Sequence, residues 1–454
     1  MNTTKILIPL DGSYKEFNKY KQAFSGTEFW NQLIFVIDDD LNKDAFKNTN
    51  CVQIETSTIK PDMEHCEKIL ETCGYDGNFD SFCLVEFYQN RTKFKNSKAH
   101  RNECAKKLIY LYEALDKIDY DYVIYNLVSH FFPRAVQLIS KNMGRPVYGY
   151  TQSLVPGKEY IWLDDELHSS SELNRMIEET KNTDVANPTV MDEVILRKKN
   201  KTYMAVFGRS LLQEFASLYA VRSRLKPSTF TRSRIAFFVE KFFLRKIKAV
   251  LWKQFAVKQI PLDKFVFFPL HMPGEAQTLV RGYPFVNDVE VLYQLSLIVP
   301  SDIKIVVKEH PGYEGWKSMY ELNLIKIMPN VTLVQSTISS HDLIEQSQFV
   351  ITINSSVWFE SLAFNKNVIT LGRGVFSGFK VTHEVHSFTE LKSAVKKLLS
   401  NTKEMIIHEE RVKKFVECYS KMSFTGELYR YTSSENTNFA KLITSKVKSL
   451  QDSS

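Results

Sequence analysis

Two short runs, residues 303–307 and 349–353, constrain the fold of this chain more than any other feature. Both are dominated by β-branched apolar residues, and neither shows the 3.6-residue periodicity of an amphipathic helix. Strands of this kind are apolar on both faces, the condition of a parallel sheet covered by helices on either side. Each run ends in chemistry. The first leads into Lys308-Glu-His-Pro311 and the second into Asn354-Ser355-Ser356, with Glu360 four residues further on. Ligands of open α/β sheets bind in the crevice at the carboxyl ends of the strands. Two such ends carrying a cation, an imidazole and paired hydroxyls therefore predict an anion site, suited to the phosphate of a nucleotide.

The same alternation extends along the chain. Strands are expected at 5–9, 33–37, 122–127, 146–150 and 160–163, with helices at 99–117 and 132–142. A second series follows, with strands at 264–270, 303–307, 331–333, 349–353 and 367–370. Helices at 288–297, 316–324, 341–347, 356–364 and 388–399 separate them. Strand–helix alternation at this spacing argues for doubly wound parallel sheets. The expected organisation is an N-terminal Rossmann-like unit at 1–165 and a helical, basic insertion or bridge at 166–260, with helices at 172–180 and 203–219. A C-terminal Rossmann-like unit at 261–400 follows, then a helical tail at 401–454 with a polar, frayed end. The fold class is α/β, two Rossmann-like units facing a cleft.

Composition excludes several classes. With 454 residues, 44% hydrophobic and 24% charged, the chain is globular and long enough for more than one core. No stretch reaches the roughly 18 uninterrupted apolar residues of a membrane span. The first residues read as a buried strand and not as a signal peptide, so a cytoplasmic location is expected. Six cysteines at irregular spacing, with no C-x-x-C pair, read as reduced structural thiols. The net charge of +7 is concentrated at 222–253, where ten Lys and Arg face the single acid Glu240. Phe238, Phe242, Ile247, Val250 and Leu251 approximate one helical face there. Such a segment suits the anionic surface of a membrane; the alternative is a solvated helix packed between domains. No nucleic-acid module accompanies it.

Individual residues follow from these positions. His310, held at a strand tip by Pro311, can donate to a phosphate or protonate one as it leaves, and Lys308 adds charge. Ser355 and Ser356 offer hydroxyls beside unpaired helix N–H groups, or else simply cap the helix. Glu360 is placed to accept from ribose hydroxyls. His271 and Glu275 follow the strand at 264–270, and Arg373 and Lys380 follow the one at 367–370, so all four face the same crevice. No P-loop and no G-x-G-x-x-G occurs, which removes support for ATPase and dehydrogenase readings. Asp38-Asp39-Asp40 reads as a polar strand exit.

Taken in order, Phe-Phe-Pro-Leu at 267–270, Lys-Glu-His-Pro at 308–311, the Asn-Ser-Ser motif with Glu360, and Leu-Gly-x-x-x-Phe-Ser-Gly-Phe-Lys-Val-Thr at 371–382 resemble the capsule polysaccharide biosynthesis proteins. That family includes bacterial β-Kdo transferases. Related His-Pro and Ser-Ser motifs occur in bacterial sialyl- and polysialyltransferases. The resemblance covers 262–385 and implies a GT-B glycosyltransferase that uses a CMP-linked acidic sugar such as Kdo or sialic acid. It implies no cofactor and no metal, with a glycan or lipid-linked acceptor. It places His310, Ser355 and Ser356 on the CMP phosphate and Glu360 on the ribose. Two departures stand out. Lys380-Val-Thr382 replaces a Gly-Leu-Thr-like run, and Leu10-Asp11-Gly12 lacks the first acid of the sialyltransferase base motif. Asp11 is still the base candidate, although Asp-Gly-Ser also reads as an ordinary turn. A CDP-alditol phosphotransferase of the teichoic-acid type and a non-catalytic nucleotide-sugar-binding relative are the alternatives.

Overall fold

The computed structural model describes residues 4–10, 14–38, 46–86, 97–127, 130–165, 167–180, 189–199, 244–400, 409–425 and 433–451. Asp11, the helix expected at 203–219 and the basic segment 222–243 lie outside them.

The first sheet has seven strands: β1 (Ile6–Leu10), β2 (Leu33–Ile37), β3 (Cys51–Gln53), β4 (Tyr122–Asn126), β5 (Val147–Gln152), β6 (Lys158–Leu163) and β13 (Phe424–Thr425). Their order is β13-β6-β5-β4-β1-β2-β3. β3, β2, β1, β4 and β5 run parallel, while β6 and β13 close one edge antiparallel. β1 and β2 are buried along their whole length, as strands apolar on both faces must be. The chain winds outward from β1 through β2 to β3, then restarts at β4 on the other side. The topological switch point therefore lies between β1 and β4.

The second sheet has six parallel strands: β7 (Phe265–Pro269), β8 (Lys304–Lys308), β9 (Val331–Val334), β10 (Val350–Thr352), β11 (Val368–Thr370) and β12 (His383–Glu384). Their order is β12-β11-β10-β7-β8-β9, with every neighbour parallel. It switches between β7 and β10, the crevice where doubly wound sheets bind ligands.

Two differences from the sequence expectations have physical causes. The helix expected at 316–324 starts later, at Met319–Ile327, because Ser318 and Glu321 form a reciprocal capping box. Trp316 is instead covered by the Arg245 guanidinium, 5.1 Å from its ring centre. The tail is also more than a frayed end. β13 pairs with β6, and the helix Ser433–Gln451 buries Phe439, Leu442, Ile443 and Val447 in the core of the first sheet. The end of the chain thus returns to the N-terminal unit. Further contacts tie the units together: Leu154 N–H donates to Tyr419 Oη at 3.2 Å, Ser153 and Ser423 hydroxyls lie 2.7 Å apart, and Val85 packs with Leu279 and Val280. Between 168 and 259 the described segments are helical, at Ser171–Glu179, Thr189–Lys199 and Arg245–Phe255. All six cysteines are free thiols.

Candidate functional site

A cavity of about 470 Å³ opens at the carboxyl ends of β7, β8, β9 and β10. Lys308, His310 and Pro311 from the β8 exit, and Ser355, Ser356 and Glu360 from the β10 exit, all line it. Residues some forty positions apart meet because β8 and β10 flank the same central strand, β7.

His310 is exposed at the strand tip. Its Nδ1 accepts from the Gly312 N–H at 3.1 Å, so in the neutral ring the proton sits on Nε2, a donor. Pro311 opens the short 3₁₀ turn Pro311–Tyr313 that holds this geometry. Across the cavity, the Ser355 hydroxyl oxygen accepts from Val357 N–H at 3.3 Å and from Thr352 Oγ1 at 3.2 Å. Two donors on that oxygen direct its own hydrogen elsewhere, available to an anion. Ser356 stands at the N-cap position without a capping bond; its hydroxyl donates to Glu360 Oε1 at 3.2 Å. Glu360 is 9% exposed, and its Oε2 lies 3.6 Å from Nε2 of buried His341.

Lys308 occupies a different place from a free phosphate ligand. Its ammonium donates to the Ile338 carbonyl and, at 2.9 Å, to Ser340 Oγ, so it braces the β8 exit against the β9 exit. Asn354 is likewise a brace: its Nδ2 donates to the Arg373 carbonyl at 2.6 Å. His271 does not line the cavity. It is buried beneath the serine loop, where Nε2 accepts from Asn354 N–H at 3.3 Å. Burial holds its pKa down at about 4, a neutral ring. Glu275 caps the β7 exit at the start of the helix Ala276–Leu279, and burial pushes its carboxyl up to about 7 against the pull of Arg281. Arg373 and Lys380 are exposed outside the cavity lining; Lys380 has left-handed backbone, φ +56°.

Sequence reasoning passed over several cavity residues. Ser336, Ser339 and Ser340 come from the β9 exit, where the hydroxyl-rich run Ser336-Thr-Ile-Ser-Ser340 carried the same strand-end signal as the other two. Glu309 is 6% exposed and accepts from Gly315 N–H at 3.2 Å; burial raises its pKa to about 8, so the neutral carboxylic acid is the favoured form at neutral pH. The helix Arg245–Phe255 completes one wall. Lys253 Nζ lies 3.1 Å from Glu314 Oε2, and Ser336 Oγ donates to the same carboxylate. Arg245 donates to the carbonyls of Glu314, at 2.9 Å, and Gly312, at 2.6 Å.

The N-terminal unit contributes a second titratable group at its own switch point. His130, just beyond β4, has Nδ1 3.5 Å from Glu86 Oε1, and Phe131 N–H donates to the same oxygen at 3.2 Å. Burial opposes ionisation of Glu86, yet its bonds to His130 and Phe131 hold its pKa at about 2. Leu127, at the end of the same strand, accepts at 3.5 Å from Arg281 of the C-terminal unit. The pair therefore flanks the seam between the units. Asp38 pairs with Lys107 at 2.7 Å, as a polar strand exit would. Among the described residues no cluster of three His, Cys, Asp or Glu forms a metal site.

With this geometry in view, residues 253–410 match the profile of the family described as capsule polysaccharide biosynthesis protein. That segment, about a third of the chain, is similar to the family. The match runs from the cavity wall at Lys253 through the whole six-stranded sheet of the C-terminal unit. Protein FixF of Sinorhizobium fredii strain NBRC 101917 / NGR234 is 32% identical over 117 residues, 25% of this chain and 27% of that protein. The chain thus spans about a quarter of that curated relative. Among solved structures, the β-Kdo 2,7 transferase KpsC of Thermosulfurimonas dismutans overlaps 98% of this chain and 99% of its own, with 10% identity and a TM-score of 0.38. A UDP-GlcNAc 2-epimerase of Methanocaldococcus jannaschii overlaps 92% of this chain and 100% of its own, with 12% identity and a TM-score of 0.31. At these scores the overlaps carry no weight for activity.

Proposed function

We propose that this protein is a glycosyltransferase of surface polysaccharide synthesis that uses a CMP-linked acidic sugar, Kdo or sialic acid, and a glycan or lipid-linked glycan acceptor. One observation carries the reading. Three strand exits at the switch point of the C-terminal unit converge on a single cavity holding an imidazole donor, paired serines and a buried carboxylate.

In this reading the Ser355 hydroxyl holds the donor phosphate, the Ser356 hydroxyl turns from Glu360 to the same phosphate, and Glu360 then accepts from the ribose. His310 Nε2–H meets the charge that develops on the leaving phosphate, a contribution typically worth 10²–10⁴-fold. Protein groups, not a metal ion, take that charge. The acceptor is held on the N-terminal unit, at the strand exits beside the seam that Arg281 and Leu127 form. Asp11 at the β1 exit is one proton acceptor there. His130 at the β4 exit is the other, with Glu86 holding its Nδ1–H so that Nε2 is free of the proton. A cytoplasmic location belongs to the same reading.

The test is turnover of the donor. The protein is incubated with CMP-Kdo and with CMP-sialic acid, with chelator present, and CMP release is followed. The reading expects release from one of the two, lowered about 10²-fold or more in His310→Ala. Release from neither by the wild type discards the acidic-sugar donor. Equal release by the variant removes His310 from the chemistry.

A further inference from the structure

The helix Arg245–Phe255 has two opposite faces, and only one is explained by the cavity it walls. Its inner face is fixed: Ala249 and Trp252 are buried and Arg245 is clamped on two carbonyls. At 3.6 residues per turn, Leu244, Ile247, Val250 and Phe255 fall on the opposite side. They are 52%, 58%, 49% and 43% exposed. Single exposed apolar residues are ordinary; three on one arc of an 11-residue helix, with the N-cap Leu244 beside them, form a patch.

The charges that this helix itself carries beside the arc are all of one sign. On the helical wheel Lys246 flanks it on one side and Lys248 on the other, while Lys253 turns to Glu314 in the cavity wall. Lys246 and Lys248 are half-buried, as lysines are whose aliphatic stems cover apolar surface. No acidic residue occurs between Lys241 and Leu262. On the adjoining helix Met319–Ile327, Lys326 places its ammonium 3.6 Å from the Phe255 ring centre, and Ile327 is 69% exposed. The patch and its basic rim therefore continue across two helices.

We propose that this face is a docking surface for an anionic lipid bilayer. An apolar arc that enters the headgroup boundary, edged by lysines at headgroup level, is the arrangement by which amphipathic helices lie on such membranes. Among the described residues no helix is long and apolar enough to cross one, so the contact is interfacial. Through Lys253 the same helix lines the cavity, and docking holds the cavity beside the bilayer. The proposal goes beyond the assigned activity and stands whichever nucleotide the cavity takes.

The test is co-sedimentation of the full chain with phosphatidylcholine vesicles, with and without phosphatidylglycerol. The expected result is binding to the anionic vesicles alone, weakened by salt. Ile247→Glu/Val250→Glu is expected to lower the bound fraction about tenfold or more with an unchanged melting temperature, since both side chains are exposed. Lys246→Glu/Lys248→Glu is expected to remove the preference for phosphatidylglycerol. Absence of binding to anionic vesicles overturns the proposal, as does undiminished binding by the Ile247/Val250 variant. A solution dimer that this variant dissolves would make the face a contact between copies and overturn it equally.

Discussion

Replacing Glu309 by glutamine isolates the charge state of the cavity. The glutamine keeps the shape and can still accept from Gly315 N–H, but it does not titrate. Burial raises the Glu309 pKa from 4.5 to about 8, with Glu314 adding to the rise and Lys317 and Arg245 opposing it. The sign follows directly. Between those two values the folded protein holds a proton that the unfolded chain has released. The contribution of Glu309 to stability is therefore complete below about pH 4.5, falls as pH rises, and is lost by about pH 8. At about 1.4 kcal/mol per pKa unit, the ceiling is on the order of 4–5 kcal/mol, and partial relaxation leaves a few. Glutamine removes this slope. The variant should therefore gain on the wild type between about pH 5 and about pH 9 by roughly 5–10 °C in melting temperature, for a unit of this size. Melting followed across that range by circular dichroism is the assay. Nucleotide affinity should follow the same course, since ionised Glu309 beside His310 repels a phosphate above pH 8 in the wild type but not in the variant. A wild-type-to-variant difference that is the same at both ends of the range would refute the buried, neutral Glu309.

Other outcomes follow from the same geometry. Gly315 has φ +73°, and an added Cβ would sit 2.3 Å from the Arg245 carbonyl oxygen and 2.7 Å from Ala249 N. Gly315→Ala should cost about 2–5 kcal/mol and displace the helix Arg245–Phe255, read as a lower melting temperature and weaker nucleotide binding. Lys317 and Asp288 form an ion pair at 2.7 Å, 2% and 6% exposed, and Asp288 also accepts from His271 N–H at 2.7 Å. Lys317→Met leaves that carboxylate unpaired and should destabilise by about 3–5 kcal/mol in denaturant melts, whereas a loss below about 1 kcal/mol would mean that Asp288 is solvated. His341→Ala removes the cation-capable neighbour of Glu360; nucleotide affinity should fall a few-fold with no change in fold by circular dichroism.

The strands of both sheets were legible where both faces are apolar. The expected 33–37 coincides with Leu33–Ile37, and 303–307 and 349–353 each fall within about a residue of Lys304–Lys308 and Val350–Thr352. Burial on both sides leaves a continuous apolar run, and such runs are hard to mistake. β3, β12 and β13 carry no such run: they are two or three residues long at sheet edges, and β13 is formed by a partner distant in sequence. The C-terminal helix did carry a readable stripe, Phe439, Leu442, Ile443 and Val447 at helical spacing, overshadowed by the polar residues around it. At the site, strand ends located the crevice but not the direction of each side chain. His271 follows β7 yet turns under the serine loop. Lys308 ends β8 yet is spent on the β9 exit. Lys253 and Glu314 meet only because Arg245 and Gly315 bring a distant helix onto the β8 loop, a packing event no local pattern encodes.

The most direct test of the account is calorimetric titration of the protein with CMP in the presence of chelator, repeated with UDP, GDP and ADP and on Ser355→Ala/Ser356→Ala. The account predicts metal-independent binding of CMP in preference to the others, weakened at least about tenfold in the variant, since two charge-assisted hydrogen bonds are removed. Preference for UDP or GDP would contradict the assigned donor and keep the cavity. No heat with any nucleotide would contradict the cavity as a nucleotide site.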